Sequence, residues 1–389
     1  MDRSPEAHEA ALRALIPPRP CEVLDLASAA LRRARLSRTI VARENQPAFD
    51  NSQMDGYAVE RTDAHTAAAG PTIPAGTNPA TLYPHGLTGR AAPIMTGAAI
   101  PGGTRAIVAV ERCRPPRFVA AGDKISFPAA PEGEFIRRAG SDIRAGDVLA
   151  EAGAQITPAL YAALVAQGIT EVEVEAQARI IIVSGGAEVT SSAKTSPATV
   201  RDTNGPMLEI LAHHADIDVA ARITTNDDPD RLRADLTDAI DRYRPDAIVT
   251  SGGISHGAFE VVRLVLDTGW FGHVAQQPGG PQGLSMFDGV PVISLPGNPI
   301  STLVSFRLYV APALGNAPEP VRVPLAEPLQ GLDAKEQFLR GVIVDGRAKP
   351  VGDAGSHLLA QAAPATCLIR MPAGANCAAG DVVVVHPLD

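Results

Sequence analysis

Between residues 178 and 315 the chain alternates two apolar patterns. Ile180-Ile-Ile-Val183, Ala247-Ile-Val249 and Val292-Ile293 sit in short, β-branched, unbroken runs. Runs of that length and composition predict strands buried on both faces. Residues 218–224 add another strand. Between the strands, 204–213, 228–243 and 257–266 read as helices, and a further helix follows Pro296-Gly-Asn-Pro299. Strands alternating with helices predict a parallel sheet covered on both faces.

The flanking segments read differently. Residues 5–16 predict a short helix that stops before Pro17-Pro18, and 24–36 repeat Leu24, Leu26, Ala30 and Leu31 at helical spacing. From 49 to 131, Gly-Pro, Pro-Ala-Gly and Pro-Gly-Gly punctuate short runs, which predicts an all-β insertion. Residues 140–146 form a turn-rich return. Thr157-Pro158 starts a helix, Thr as N-cap and Pro at the first helical position, and Gly168 stops it. From 319 onward the pattern returns to short strands, ending in Val382-Val-Val-Val385.

Composition narrows the function classes. The 389 residues exceed what one compact domain usually holds. Aromatic residues are only 4%, so the cores must be aliphatic. With 34 basic against 43 acidic residues the formal charge is −9, which argues against a general nucleic-acid surface. The four cysteines show no C-x-x-C spacing and read as ordinary thiols of a reducing compartment. The first residues lack the apolar core of a secretory signal, and no stretch is long and apolar enough for a bilayer. The expectation is a cytoplasmic protein with no membrane insertion and no nucleic-acid partner.

Three predicted strand ends carry glycine loops: Ser184-Gly185-Gly186, Ser251-Gly252-Gly253 and Pro296-Gly297-Asn298. Ligands of open α/β sheets bind beyond the carboxyl ends of the strands, and glycines let backbone approach an anion closely. Acidic candidates near the motifs are Asp55, Asp142, Glu188, Asp228 and Glu260. Carboxylates beside phosphates suit a hard cation such as Mg2+. Asp142 and Asp228 also fit the plainer role of capping a turn and a helix. His256 lies within the Ser251 loop, and His213-His214 read as a solvated helix end.

The octamer Asn51-Ser52-Gln53-Met54-Asp55-Gly56-Tyr57-Ala58 closely resembles the signature of the MoeA family, which includes the gephyrin E domain. Ser251-Gly-Gly-Ile-Ser-His-Gly257 resembles its S-G-G-V-S-x-G loop, and Leu295-Pro-Gly-Asn-Pro299 its L-P-G-N-P loop. Met95-Thr96-Gly97-Ala98, Ile136-Arg137-Arg138-x-Gly140-x-Asp142-Ile143 and Asp202-Thr203-Asn204 are similar to further family strings. The resemblance implies an α/β multidomain fold. It would combine a central MogA-like α/β/α parallel-sheet domain, a β-rich insertion domain and a C-terminal β-barrel-like domain. The expected division is 1–20 plus 173–318 for the molybdopterin-binding α/β domain, 21–45 plus 140–172 for a linking domain, 46–139 for the insertion, and 319–389 for the C-terminal domain.

The activity implied is Mg-dependent insertion of molybdate into adenylated molybdopterin with release of AMP. On this basis Asp55 and Glu188 are catalytic candidates, and Asp55, Glu188, Asp228 and Glu260 are candidate ligands of Mg2+. Thr96, Asp142, Ser251, Gly252, Gly253, Ser255, Pro296, Gly297 and Asn298 are candidate substrate contacts. A homodimer is implied, bringing Asp55 of one subunit to the α/β domain of the other. A MogA-like adenylyltransferase, or a protein ligand at the C-terminal domain, is the implied further partner.

The chain also departs from the family pattern. The T-G-D-E-L loop reads Ser184-Gly-Gly-Ala-Glu188-Val189, so the Asp before Glu188 is Ala187. The lysines of K-P-G-K-P are Gln277 and Gly280, in Gln277-Pro278-Gly279-Gly280-Pro281, and A-N-G is Ala365-Thr366-Cys367. Arg263, Arg201 and Lys194 are candidate replacement cations. The competing reading is a catalytically weakened or inactive family member acting as a dimeric, gephyrin-like scaffold for proteins.

Overall fold

The computed structural model describes residues 2–28, 31, 34–185, 189–190 in backbone only, 200–225, 228–253, 261–266 and 268–388. Two compact units emerge: residues 21–174, and 1–20 together with 175–389.

In the second unit, strands run in the order Asp218–Thr225, Arg179–Gly185, Ala247–Ser251, Val290–Leu295, Pro281–Phe287, Gly269–His273. The first four are parallel to their neighbours, as the alternation of strands with helices predicts. The structure adds two antiparallel strands at one end. They escape the apolar pattern because Pro281–Phe287 carries Gln282, Gly283 and Ser285 in its interior and Gly269–His273 carries two glycines.

Helices cover both faces. Asn204–His214 and the 299–314 helix pack on Ile180, Ile182, Val249 and Ile293. Pro229–Tyr243 and Val261–Val265 pack on Ile181, Val183, Ile248 and Val292. The 299–314 helix widens to a π turn over Phe306–Val310 just before Pro312, whose ring crowds the preceding turn. Buried Arg307 in that turn donates to the Pro318 and Pro387 carbonyls, tying the helix to the chain's last strand.

The C-terminal strands form a half-barrel sheet in the order Gln276–Gln277, Glu336–Val344, Cys367–Met371, Val382–Pro387, Val321–Pro324; Arg347–Pro350 pairs beside Glu336–Val344 and is bridged to Leu325 through Ala348. Gln276–Gln277 joins this sheet in parallel with Glu336 and Gln337, so the segment carrying the departed K-P-G-K-P string is strapped to the C-terminal strands.

The 21–174 unit contains a five-stranded sheet in the order Ala106–Ala109, Gly56–Val59, Arg90–Ile94, His65–Ala69, Lys124–Phe127, as expected for an all-β insertion. The Pro158–Ala166 helix has its predicted cap, the Thr157 hydroxyl accepting from Leu160 N at 3.1 Å. One expectation fails. Residues 24–36 do not start as a helix: Cys21–Asp25 is a strand, and the Asp25 carboxylate takes the Ala27 N–H at 2.7 Å, turning the chain. Residues 29–30 and 32–33 lie outside the described residues. All four cysteines are free thiols. Among the described residues no helix is long and apolar enough to cross a membrane.

Candidate active site

Asp55 sits in the tight turn between Asn51–Ser52 and Gly56–Val59. Gly56 is required by sterics: a Cβ there would lie 2.2 Å from the Val108 carbonyl oxygen of the neighbouring strand. Pairing of Gly56 with Ile94 brings Thr96 beside the turn. Thr96 donates to Asp55 Oδ1 twice, from its backbone N at 2.7 Å and its hydroxyl at 2.8 Å. These bonds, the backbone one first, hold the Asp55 carboxyl below its ordinary range. Oδ2 has no protein partner among the described residues, and the residue is exposed, so a charged carboxylate faces outward with one oxygen free. Asp142 is likewise exposed, with no side-chain bond among the described residues. The N–H groups of its turn are taken instead by Asn45, at Ala145, and by Asp147, at Arg144.

At the carboxyl end of the α/β sheet, three strand-end glycines converge. A Cβ on Gly252 would lie 3.4 Å from the Gly185 carbonyl oxygen, and one on Gly297 would lie 3.3 Å from Gly252 Cα. Gly252 and Gly253 have φ of 91° and 72°, a region that favours glycine. The result is a floor made of backbone, with Gly297 and Asn298 exposed. The buried Ser251 hydroxyl is engaged within the floor, 3.0 Å from Thr302 Oγ1 and 3.3 Å from the Pro296 carbonyl. Asn204 donates to the Gly297 carbonyl at 2.7 Å, while its Oδ1 is buried without a partner.

Asp202 is the acid at this floor that sequence reasoning passed over, although it opens the Asp202-Thr203-Asn204 string. Its side chain is 4% exposed, takes the Ser184 hydroxyl at 2.8 Å and the Gly205 N–H at 3.0 Å, and lies 3.7 Å from Arg222. Asp228 instead caps the Pro229–Tyr243 helix, its Oδ1 accepting from Asp230 N and Arg231 N at 3.1 Å each. Glu188, Ser255, His256, Glu260 and Lys194 lie outside the described residues. Arg263 lies 5.8 Å over the Phe271 ring, and Arg201 is on an exposed strand.

A second feature had no sequence signal. A shallow, solvent-open cleft, whose enclosed part holds about 10 Å³, is lined by Pro278, Ile300, Gln337, Arg340 and 350–354. Arg340 is 5% exposed and donates from Nη1 to the Leu358 carbonyl at 2.7 Å, but its Nη2 is buried with no partner. Burial lowers the pKa of this guanidinium, which stays charged at any ordinary pH. The charge of Asp353, in the same lining, acts on it in the opposite sense, and the bare Nη2 is left to bond a further acceptor. An arginine in an alternating strand gives no sign in the sequence of whether it faces water or a cleft.

Among the described residues no three His, Cys, Asp or Glu side chains converge. The free Asp55 oxygen still suits Mg2+, which is commonly held by one or two carboxylates plus substrate phosphates.

Comparison with known proteins agrees with this architecture. The pattern described as the MoeA N-terminal region (domain I and II) matches residues 3–168, a probable molybdopterin binding domain matches 181–316, and the MoeA C-terminal region (domain IV) matches 322–388. The chain is 36% identical over 371 residues to molybdopterin molybdenumtransferase 2 of Mycobacterium tuberculosis, covering 87% of this chain and 88% of that one. It is 29% identical over 395 residues to the molybdopterin molybdenumtransferase of Haemophilus influenzae, covering 96% and 95%. The solved molybdopterin biosynthesis moeA protein of Pyrococcus horikoshii OT3 shares the fold over both full chains, with a TM-score of 0.82 at 22% identity. The chain belongs to the MoeA family.

Proposed function

We propose that this protein is a molybdopterin molybdenumtransferase of molybdenum cofactor biosynthesis, inserting molybdate into adenylated molybdopterin with release of AMP. The observation that carries this reading over a silent scaffold is Arg340. The family lysines are absent at Gln277 and Gly280, yet the cleft that Pro278 lines holds a buried guanidinium whose Nη2 has no hydrogen-bond partner, beside Asp353. The cleft therefore retains a cation suited to a tetrahedral oxyanion, and an arginine fork binds such oxygens well.

Each group has a defined task. The glycine floor at Gly185, Gly252 and Gly297 lets the pterin and its phosphate approach backbone closely. The buried Asn204 Oδ1 awaits a donor from the ligand. Asp202, fixed by Ser184 and Gly205, neutralises Arg222 at the edge of the floor. Arg340 holds molybdate for the dithiolene thiols, which replace molybdate oxygens with loss of water, while water cleaves the pterin's phosphate anhydride and AMP leaves. Asp55 Oδ2 would hold Mg2+, with the substrate's phosphate oxygens completing the set; when bound, the ion neutralises phosphate charge. Thr96 orients Asp55 and keeps it ionised. Asp55 would come from the partner copy of a homodimer, the division of labour that symmetric enzymes with shared sites use. The adenylated pterin would come from an adenylyltransferase.

The test is an Arg340→Gln variant in an assay of cofactor formation. The molybdate concentration for half-maximal rate should rise at least tenfold, the equivalent of one charge-assisted bond. An unchanged value would remove Arg340 from oxyanion binding.

A further inference from the structure

The backbone of Pro278, Gly279 and Gly280 is held from beneath. The Pro278 carbonyl accepts from Gln276 Nε2 at 3.0 Å, the Gly279 carbonyl from Gln282 Nε2 at 2.8 Å, and the Gly280 carbonyl from Val274 N at 2.7 Å. Three successive carbonyls are thus satisfied by the interior. The N–H groups of Gly279 and Gly280 have no acceptor among the described residues.

The glutamines are themselves fixed. Gln276, Gln282, Ser305 and Tyr309 are each 1% exposed or less. Gln282 Nε2 also reaches Ser305 Oγ at 2.6 Å, and the Tyr309 hydroxyl donates to Gln276 Oε1. Turning the Gln282 amide over would set its oxygen against the Gly279 carbonyl, so the donor must face the loop. Gln282 Oε1 is left buried without a partner, a cost an apolar side chain would avoid.

The fit is close at one glycine and loose at the next. A Cβ on Gly279 would lie 2.8 Å from both Gln276 Nε2 and Ser305 Oγ, whereas one on Gly280 would meet nothing nearer than 3.6 Å. Gly280 can therefore vary in side chain, while Gly279 and the two amides form one fitted body.

We propose that Gln276 and Gln282 are positioning residues: they fix the Pro278–Gly280 turn, through which Pro278 is set in the lining of the Arg340 cleft, and so set the cleft's affinity for the oxyanion. The inference rests on the reading of that cleft as the molybdate site. Neither amide touches substrate; each acts through the backbone of the turn.

The test compares wild-type protein with Gln282→Met, Gln282→Glu and Tyr309→Phe in the cofactor-formation assay, and adds Val290→Ala, a buried change in the same sheet away from the cleft. Loss of the amide should raise the molybdate half-saturation roughly tenfold, with the maximal rate within about twofold. The Glu variant should be as poor at pH 8 and recover toward pH 6, where a protonated carboxyl again donates to Gly279. Tyr309→Phe should show a smaller shift of the same kind. Val290→Ala should lower the melting temperature and leave half-saturation unchanged. Unaltered half-saturation in Gln282→Met, or an equal rise in Val290→Ala, overturns the inference alone. Inactive wild-type protein, or normal half-saturation in Arg340→Gln, overturns the cleft reading and the inference with it.

Discussion

Single side chains here are read by what they leave unsatisfied. Asp55 gives one oxygen to Thr96 and keeps the other free, whereas Asp228 spends Oδ1 on two helix N–H groups. Asp55→Ala should therefore abolish molybdenum transfer while melting within a few degrees of wild type, because an exposed turn residue contributes little to stability. Transfer at the wild-type rate would strike Asp55 from the mechanism. Gly280→Lys bears on the missing charge. Arg340 already supplies a cation, so the variant should shift molybdate half-saturation by less than about threefold. A gain of a hundredfold would mean that the cleft lacks the charge assigned to Arg340. At this scale the sequence was legible where chemistry and local turn coincide, as in Asp55-Gly56. It was silent on Arg340 and Gln282, whose roles depend on which strand lies beneath them, and it marked Asp202 only as part of the Asp202-Thr203-Asn204 string, without its buried contacts.

Elements follow local rules where a cap or steric stop is encoded and depart where pairing decides. Ser4, Thr157 and Asp228 cap their helices as short polar residues do. Three of the four parallel strands are visible as β-branched runs, but the antiparallel pair is not, since Gly283 and Ser285 are chosen by close neighbours. A Cβ on Gly283 would meet the Phe271 ring at 2.5 Å, a constraint that no local pattern records. The same logic governs the signature turn. Gly56→Ala puts a methyl 2.2 Å from the Val108 carbonyl oxygen, so the central strands of that sheet must part. The expected loss is about 3 kcal/mol or more, read by denaturant unfolding, with Thr96 no longer aligned on Asp55. A loss below about 1 kcal/mol would show that the sheet absorbs the methyl and that the glycine is not sterically required.

Across the whole molecule, two buried histidines tie folding to pH. His8 packs against Trp270 and Tyr309 near Arg3, and His386 packs against Phe338 near Arg307 and Arg370. Burial, then the neighbouring cations, lowers each to about 4. Between about pH 6.5 and 4 the unfolded chain takes up protons that the folded chain refuses. Stability must therefore fall as pH drops through that window, on the order of 3 kcal/mol for each histidine. A His8→Phe variant should flatten the slope of melting temperature against pH, and an unchanged slope would exclude His8 as its source. The resemblance carried the family, and the fold followed from it. What the sequence left open was whether a site without its usual lysines still works. The direct measurement is single-turnover cofactor formation by purified protein given adenylated molybdopterin, molybdate and Mg2+, following AMP and protein-bound molybdenum together. The account predicts one AMP released per molybdenum retained, with both lost in Asp55→Ala. A well-folded protein that binds the adenylate yet releases no AMP and retains no molybdenum would contradict it.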